Sequence, residues 1–324
     1  MRCSESSCTR TYTPVPALHR RRPAIARDGS LKPQHNRVTR MKVGFIGLGA
    51  MGHSMAGHLA DKGLLAVVGN RTQSKAEAFA LARSVVAANS PAAYADCDAV
   101  MLCVSMDADV LENVAMLVAA MKPGSVVVDH STVSVQTART AKAMLAERGI
   151  GFLDAPVSGG VEGARNGKLS IMVGGEASDL EKARAALEAY ALRITHMGAS
   201  GAGQATKAVN QVLVAGINEA VCEGLALGEK LGLEADKLLP TLMSGAAGNW
   251  FLDKRGATMM RDEFVPGFKC AHLLKDLRIV RAMANEVGVR ANVIEQALAD
   301  YAELVEQGRG DEDTSALISL KRGG

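Results

Sequence analysis

A doubly wound parallel α/β sheet followed by an all-helical domain is the fold class this sequence predicts. Three observations carry that reading. A short apolar run, Val43-Gly44-Phe45-Ile46, leads straight into Gly47-x-Gly49-x-x-Gly52 and then into a helical pattern over 53–62. Apolar strand-like runs and helical stretches then alternate as far as about residue 198, the pattern of a parallel sheet with right-handed crossovers. After Gly203 the strand patterns stop, and 204–231 reads as one long helix that is apolar on most faces.

Taken in order, strands are expected at 43–46, 65–69, 99–104, 125–129 and 151–154, with further strands at 169–173 and 193–196. Helices over 107–120 and 135–148 lie among them. A Rossmann-type dinucleotide-binding domain is therefore expected over 41–203. An all-helical substrate and dimerisation domain follows over 204–324, with further helices at 236–243, 269–287 and 292–307. Small residues (Ala208, Ala215, Gly216, Ala220, Gly224, Gly228) run through the long helix. A helix apolar on most faces is buried on most faces, and at about 1.5 Å per residue this one crosses a whole domain. Its surplus apolar surface predicts packing against a second copy, in a homodimer or homotetramer.

The glycine run implies a site as well as a turn. Gly47 permits the tight turn, Gly49 lets backbone approach a pyrophosphate and Gly52 lets the helix pack closely on the strand. Leu48, Ala50 and Met51 between them complete the loop, and the free N–H groups at the helix start favour negative charge. About 20 residues on, an NAD site usually carries an acid for the ribose 2′-hydroxyl. Here Asn70-Arg71-Thr72 stands instead, with Lys75 one helical turn further. Arg71 can clamp a 2′-phosphate through charge-assisted bonds that an acid would repel. NADP(H) is thus the expected cofactor, with NAD the alternative if Arg71 only stacks on adenine. Ser105, in Cys103-Val104-Ser105, and Ser131-Thr132 follow strand ends where a dinucleotide crosses an open sheet, and Thr132 is the better candidate for the nicotinamide ribose.

Composition sets bounds. At 324 residues, 48% hydrophobic and 22% charged, the chain is long enough for two soluble domains. The net charge is only +3 and gathers in the first 40 residues, so no nucleic-acid surface is expected on the folded body. No apolar run approaches the ~20 residues that span a membrane. The six cysteines show no paired metal spacing, and Cys97 and Cys103 read as buried free thiols of a reducing, cytoplasmic compartment. No histidine spacing implies a metal. Residues 1–40 are basic, rich in Arg, Pro and Ser, and end just before Met41. They are expected to form a flexible extension outside the fold. Either they follow an upstream start, with Met41 the natural first residue, or they are a targeting peptide, which would imply a mitochondrial location. The first reading is preferred because no amphipathic pattern is evident.

Four segments in order carry a resemblance: Gly44-Phe45-Ile46-Gly47-Leu48-Gly49-Ala50-Met51-Gly52, Asp154-Ala155-Pro156-Val157-Ser158-Gly159-Gly160, Gly201-Ala202-Gly203-Gln204-Ala205-Thr206-Lys207-Ala208-Val209-Asn210, and Lys275-Asp276-Leu277. Over 41–320 the chain resembles the β-hydroxyacid dehydrogenase family, which includes 3-hydroxyisobutyrate dehydrogenase and the tartronate, glyoxylate and succinic semialdehyde reductases. The resemblance implies that Lys207 is the catalytic residue. A carbonyl accepting hydride becomes an alkoxide and needs a nearby proton donor, which an ammonium supplies. Burial, and a cationic Lys275 nearby, would lower its pKa. Asn210, three residues on and on the same helix face, can hold the substrate oxygen or orient the lysine. Ser158, Gly159 and Gly160 read as an anion nest, and the resemblance implies that they grip the substrate carboxylate. It also implies that Lys275 lies near nicotinamide or substrate and that Asp276 helps to hold the site. Trp250, the only tryptophan, either walls the substrate pocket or serves the core or an interface.

The expected activity is interconversion of a short β-hydroxyacid and its semialdehyde, with an NADPH-dependent glyoxylate, succinic semialdehyde or tartronate semialdehyde reductase as the alternative. The family pattern often has a second asparagine where this chain has Gln211, which argues against assigning 3-hydroxyisobutyrate itself. A non-catalytic nucleotide-binding module would not need Lys207 together with Ser158. A histidine-based 2-hydroxyacid dehydrogenase would need a His–carboxylate pair in the second domain, where His272 is the only histidine.

Overall fold

The structure, a computed structural model, describes residues 40–323. The expected extension therefore lies almost wholly outside the described residues, as do Cys3 and Cys8. The strands are β1 (Val43–Ile46), β2 (Leu65–Gly69), β3 (Val86–Ala87), β4 (Ala99–Leu102), β5 (Val126–Asp129), β6 (Gly151–Asp154), β7 (Val157–Ser158), β8 (Leu169–Gly175) and β9 (Ala191–Gly198). Six of them run parallel in the order β3-β2-β1-β4-β5-β6. The helices are α1 (Gly52–Asp61), α2 (Gln73–Arg83), α3 (Asp107–Ala120), α4 (Val135–Ala146), α5 (Gly160–Arg165), α6 (Ala177–Leu187), α7 (Ala202–Lys230), α8 (Ala235–Met243), α9 (Trp250–Met259), α10 (Cys270–Glu286), α11 (Asn292–Glu306) and α12 (Ile318–Lys321).

The strands are apolar on both sides because both sides are covered. Phe45, Val68, Met101 and Val128 face α1, α2 and α6. Ile46, Val67, Val100 and Val127 face α3 and α4. Register across the sheet aligns Gly69, Ile46, Leu102, Asp129 and Asp154 in one row at the carboxyl ends. The loops that begin at Gly47, Asn70, Cys103 and His130, and the one that carries Ser158, start within a few residues of this row. The strand order reverses between β1 and β4, and that switch point is where open α/β sheets bind ligands.

Local differences from the expected elements have physical causes. The strand expected over 99–104 stops at Leu102, because the Val104 N–H turns away to the Ser131 hydroxyl, 3.0 Å. β8 runs antiparallel to β6, since the chain doubles back through β7 and the six-residue α5 instead of a full crossover helix. β9 then returns parallel to β8 by way of α6. α9 was not anticipated. It is capped by the Asn249 side chain, which accepts from the Leu252 N–H at 2.9 Å.

α7 starts against the sheet and ends inside the helical core. Its buried face presents Gln204, Lys207, Gln211, Ala215, Asn218 and Cys222 at helical spacing. Ala215 and Cys222 pack with Leu273, Leu277, Tyr301 and Leu317. The opposite face is exposed yet apolar: Val209 and Leu213 are each 62% exposed, and Ile217 and Leu227 continue the stripe. Among the described residues no helix is long and apolar enough to cross a membrane.

Candidate active site

The glycine loop separates structural glycines from one that the fold does not need. A Cβ built on Gly47, where φ is +102°, would stand 2.2 Å from the Cys103 carbonyl oxygen, and one on Gly52 would stand 1.9 Å from that of Gly47. Those two residues must lack side chains for the strands and α1 to pack. A Cβ on Gly49 meets nothing within 4 Å, so packing does not require a glycine there, and its bare backbone leaves the start of α1 open to approach. Asn70 braces the loop: its Oδ1 accepts from the Leu48 N–H at 3.0 Å and its Nδ2 donates to the Thr72 carbonyl at 3.0 Å. Arg71 projects from the same turn with 89% of its side chain exposed. Gly49, Ala50, Thr72 and Ser105 are exposed, and Met51, Val104 and Thr132 are half-buried.

Two buried acids hold the neighbouring strand ends. Asp154 takes the Gly201 N–H on one oxygen (2.7 Å) and the Gln204 N–H on the other (3.0 Å), capping α7 directly onto the sheet. Gly203 makes this approach possible, since a Cβ there would lie 2.4 Å from the Asp154 carbonyl oxygen. Burial raises the Asp154 carboxyl pKa, against the pull of those backbone N–H groups. Asp129 accepts from the Ser131 N–H at 2.9 Å, while its other oxygen has no partner among the described residues. Burial pushes its pKa up to about 7; Ser131 and Lys275 pull the other way, and Asp154 adds to the rise. Beside it, His130 bonds the Ala155 carbonyl through Nδ1 (2.7 Å) and Tyr190 OH through Nε2 (2.8 Å). A carbonyl only accepts, so Nδ1 carries the proton and Nε2 accepts from the tyrosine. Burial drops this imidazole to about 4.

Lys207 is buried one helical turn into α7, and its Nζ donates to the Val157 carbonyl at 2.9 Å. Burial lowers its pKa from the ordinary 10.5; Asp276 opposes this and Lys275 adds to it. From the adjacent Ser158 a hydrogen-bond chain crosses the cleft. The Ser158 hydroxyl donates to Asn210 Oδ1 (3.4 Å), Asn210 Nδ2 to Gln211 Oε1 (2.8 Å), and Gln211 Nε2 to Asp276 Oδ2 (2.8 Å). From the other side Lys275 pairs with Asp276 at 3.0 Å and donates to the Ser105 carbonyl at 3.2 Å and to the Thr132 carbonyl. The loops after β4 and β5 are thereby tied, through α10 and α7, to the loop after β7.

Comparison with known proteins places the chain in a family. Residues 42–198 match the family described as the NAD binding domain of 6-phosphogluconate dehydrogenase. Residues 201–321 match the NAD-binding of NADP-dependent 3-hydroxyisobutyrate dehydrogenase. The NAD-dependent L-serine dehydrogenase of Pseudomonas aeruginosa is 35% identical over 86% of this chain and 97% of its own. A probable 3-hydroxyisobutyrate dehydrogenase of Mycobacterium tuberculosis is 34% identical over the same shares. The solved structure of Mycobacterium tuberculosis 3-hydroxyisobutyrate dehydrogenase with L-serine superposes with a TM-score of 0.79, at 34% identity, over 87% of this chain and 99% of that one. The chain belongs to the β-hydroxyacid dehydrogenase family. As a member it is an NAD(P)-dependent dehydrogenase, with a Rossmann-type domain followed by an all-helical region.

Measured against that family's motifs, the structure brings most of the expected residues together. Gly47 to Gly52, Asn70 to Thr72, Val104, Ser105 and Thr132 lie along the carboxyl edge of the sheet, and Ser158, Lys207, Asn210, Lys275 and Asp276 meet opposite. Gly159 and Gly160 turn the chain with φ of +127° and +60°. Asn210 bonds Ser158 and Gln211 and makes no bond to Lys207; the Val157 carbonyl orients the lysine instead. Trp250 stands apart: its ring lies under the Arg255 guanidinium, 5.7 Å from the centroid, and it is 54% exposed. No hydrogen bond or stacking contact among the described residues ties it to the site.

Three contributors were not anticipated: the Val157 carbonyl, Asp154 as the cap of α7, and the Gln204 side chain. Buried Gln204 donates from Nε2 to the Ser131 carbonyl (2.8 Å) and accepts from the Val133 N–H (3.2 Å). A signal for the acid was present, since Asp154 ends an otherwise uncharged strand, Gly-Phe-Leu-Asp. Among the described residues no group of three His, Cys, Asp or Glu could hold a metal ion, and Cys97, Cys103, Cys222 and Cys270 are free thiols.

Proposed function

We propose that the chain interconverts a short β-hydroxyacid and its semialdehyde with NADP(H), with Lys207 as general acid and base. The observation that carries this reading is the buried Lys207 ammonium, fixed on the Val157 carbonyl at 2.9 Å beside Ser158. The nicotinamide, when bound, exchanges hydride with the substrate carbon. In reduction the substrate oxygen gains negative charge, and Lys207 Nζ gives it a proton; in oxidation the neutral amine takes one. The lowered pKa of this lysine makes both forms accessible nearer neutrality. The Ser158 hydroxyl and the N–H groups of Gly159 and Gly160 suit a substrate carboxylate, and the Asn210 amide suits the substrate's other oxygen. Lys275 and Asp276 keep the cofactor loops against these groups. Arg71, aided by Thr72 and Lys75, is the reader of a 2′-phosphate.

The test is a panel: methylmalonate semialdehyde, tartronate semialdehyde, succinic semialdehyde and glyoxylate with NADPH and NADH, and 3-hydroxyisobutyrate and L-serine in reverse. The reading requires turnover on a three- or four-carbon β-hydroxyacid or its semialdehyde, faster with the phosphorylated cofactor. Turnover confined to glyoxylate and succinic semialdehyde, neither of which yields a β-hydroxyacid, or none at all, would sink it. Asn70-Arg71-Thr72 also suits the second reading, a semialdehyde or glyoxylate reductase, in which glyoxylate or succinic semialdehyde outpaces methylmalonate semialdehyde.

The partner proposed for the exposed stripe of α7 is a second copy of this chain. Val209, Leu213 and Ile217 form a ridge at i, i+4, i+8, and Gly216, Ala220 and Gly224 line an apolar groove beside it. A two-fold axis lays the ridge of one copy into the groove of the other. Light scattering of Leu213→Glu should report a smaller particle than the parent protein; an unchanged mass would reject the seat.

A further inference from the structure

Arg71 does not stand alone at the cofactor's adenosine end. Its Nη1 lies 3.8 Å from Oδ1 of Asp109, in the first turn of α3, on the far side of the crevice between β1 and β4. The two partners differ in freedom. The arginine is 89% exposed and rooted in a turn, whereas Asp109 is 25% exposed, and its Oδ2 is fixed by the Met106 N–H at 3.1 Å. The other acid of that turn, Asp107, is engaged elsewhere: its Oδ1 takes the Ser134 N–H (3.0 Å) and the Thr137 hydroxyl (2.6 Å) at the start of α4. Of these two acids only Asp109 keeps an oxygen turned toward Arg71.

We propose that Asp109 is a specificity-determining residue of the cofactor site: its carboxylate competes with the 2′-phosphate for the Arg71 guanidinium and so narrows the preference for NADP(H) over NAD(H). The proposal rests on the reading of Arg71 as the phosphate clamp. A dianionic phosphate out-competes one carboxylate for a guanidinium, so NADP(H) still binds better. It does so after breaking an ion pair that NAD(H) leaves intact. Because the pair is largely exposed, the effect is modest.

Asp109→Asn isolates the charge, since the amide oxygen can still accept from the Met106 N–H and keep the cap of α3. Fluorescence titration of the full chain with NADPH and with NADH reads the outcome. NADPH should bind about threefold more tightly, NADH should change less than twofold, and the gain should shrink between low and high salt. An unchanged NADPH affinity, or an equal gain for both cofactors, overturns the proposal. The same substitution in an Arg71→Ala background separates competition from simple repulsion. Competition predicts that most of the NADPH gain vanishes there, and a gain of the same size in both backgrounds overturns it. Arg71→Ala alone tests the underlying reading, which fails if the NADPH/NADH affinity ratio is unmoved.

Discussion

The two ends of the cleft are built from different materials. At the proposed cofactor end the groups on offer are mostly backbone, Gly49 and the start of α1, the turn braced by Asn70 and the strand ends aligned in one row, with Arg71 the main side chain. At the proposed substrate end they are side chains from three segments: Ser158, Asn210, Gln211, Asp276 and Lys275 are held by one another, and Lys207 by the Val157 carbonyl. Where backbone does the work, substitution is tolerated as long as the glycines remain, and the exposed Arg71 with its neighbour Asp109 is the exception. A site of mutually bonded side chains passes a change at one member to the next, because removing one partner leaves another buried and unsatisfied.

Lys207→Ala cuts the substrate end alone and should have the largest effect. Reduction should fall by ~100-fold or more, with NADPH affinity nearly unchanged in a fluorescence titration. Loss of both together would erase the distinction between the ends. The parent enzyme's rate of reduction should also decline on the alkaline side at a pH below 10.5, since burial eases loss of the Nζ proton. A limb at or above 10.5 would mean that the buried lysine is not the group that titrates.

Gln204→Met sharpens the comparison at the junction of the two ends. Methionine keeps the shape but abandons the Ser131 carbonyl and the Val133 N–H, at a stability cost of about 1–3 kcal/mol. If Gln204 positions the first turn of α7 for its lysine, kcat should drop about tenfold, with NADPH affinity moved much less and the alkaline limb displaced. A variant with a lower melting temperature but the parent's kcat and pH profile would reduce Gln204 to a structural tie.

The same contrast explains what could be read from the sequence. The cofactor end was legible because its signals are contiguous: strand, three glycines, helix, then Asn70-Arg71-Thr72 after the next strand. Lys207 and Asn210 were legible as one face of a helix, and the resemblance supplied their chemistry. The Val157 carbonyl was not, because a backbone acceptor 50 residues away leaves no residue-type signal. Gln204 was hidden for a similar reason, since its partners lie 71 and 73 residues upstream. Gln211 looked like a departure from the family pattern; in the structure its longer side chain reaches Asp276 and closes the chain of bonds. Trp250 was open between a pocket wall and a core or interface role, because a lone tryptophan carries no positional signal; its ring contact among the described residues is Arg255.

α7 has one further consequence. Its 29 residues make a rod of roughly 43 Å at 1.5 Å per residue, whose first turn is bonded into the sheet by Asp154 and Gln204 and whose far half lies in the helical core. The two parts of the molecule share a beam where many two-part enzymes have a linker. A hinge at that boundary would have to snap a helix or unfasten Gly201 and Gln204 from Asp154. Lys207 sits on the anchored end of the beam, so its reach to the Val157 carbonyl is set when the chain folds. The proposed proton donor is preset, and motion that admits substrate falls to the loops around it.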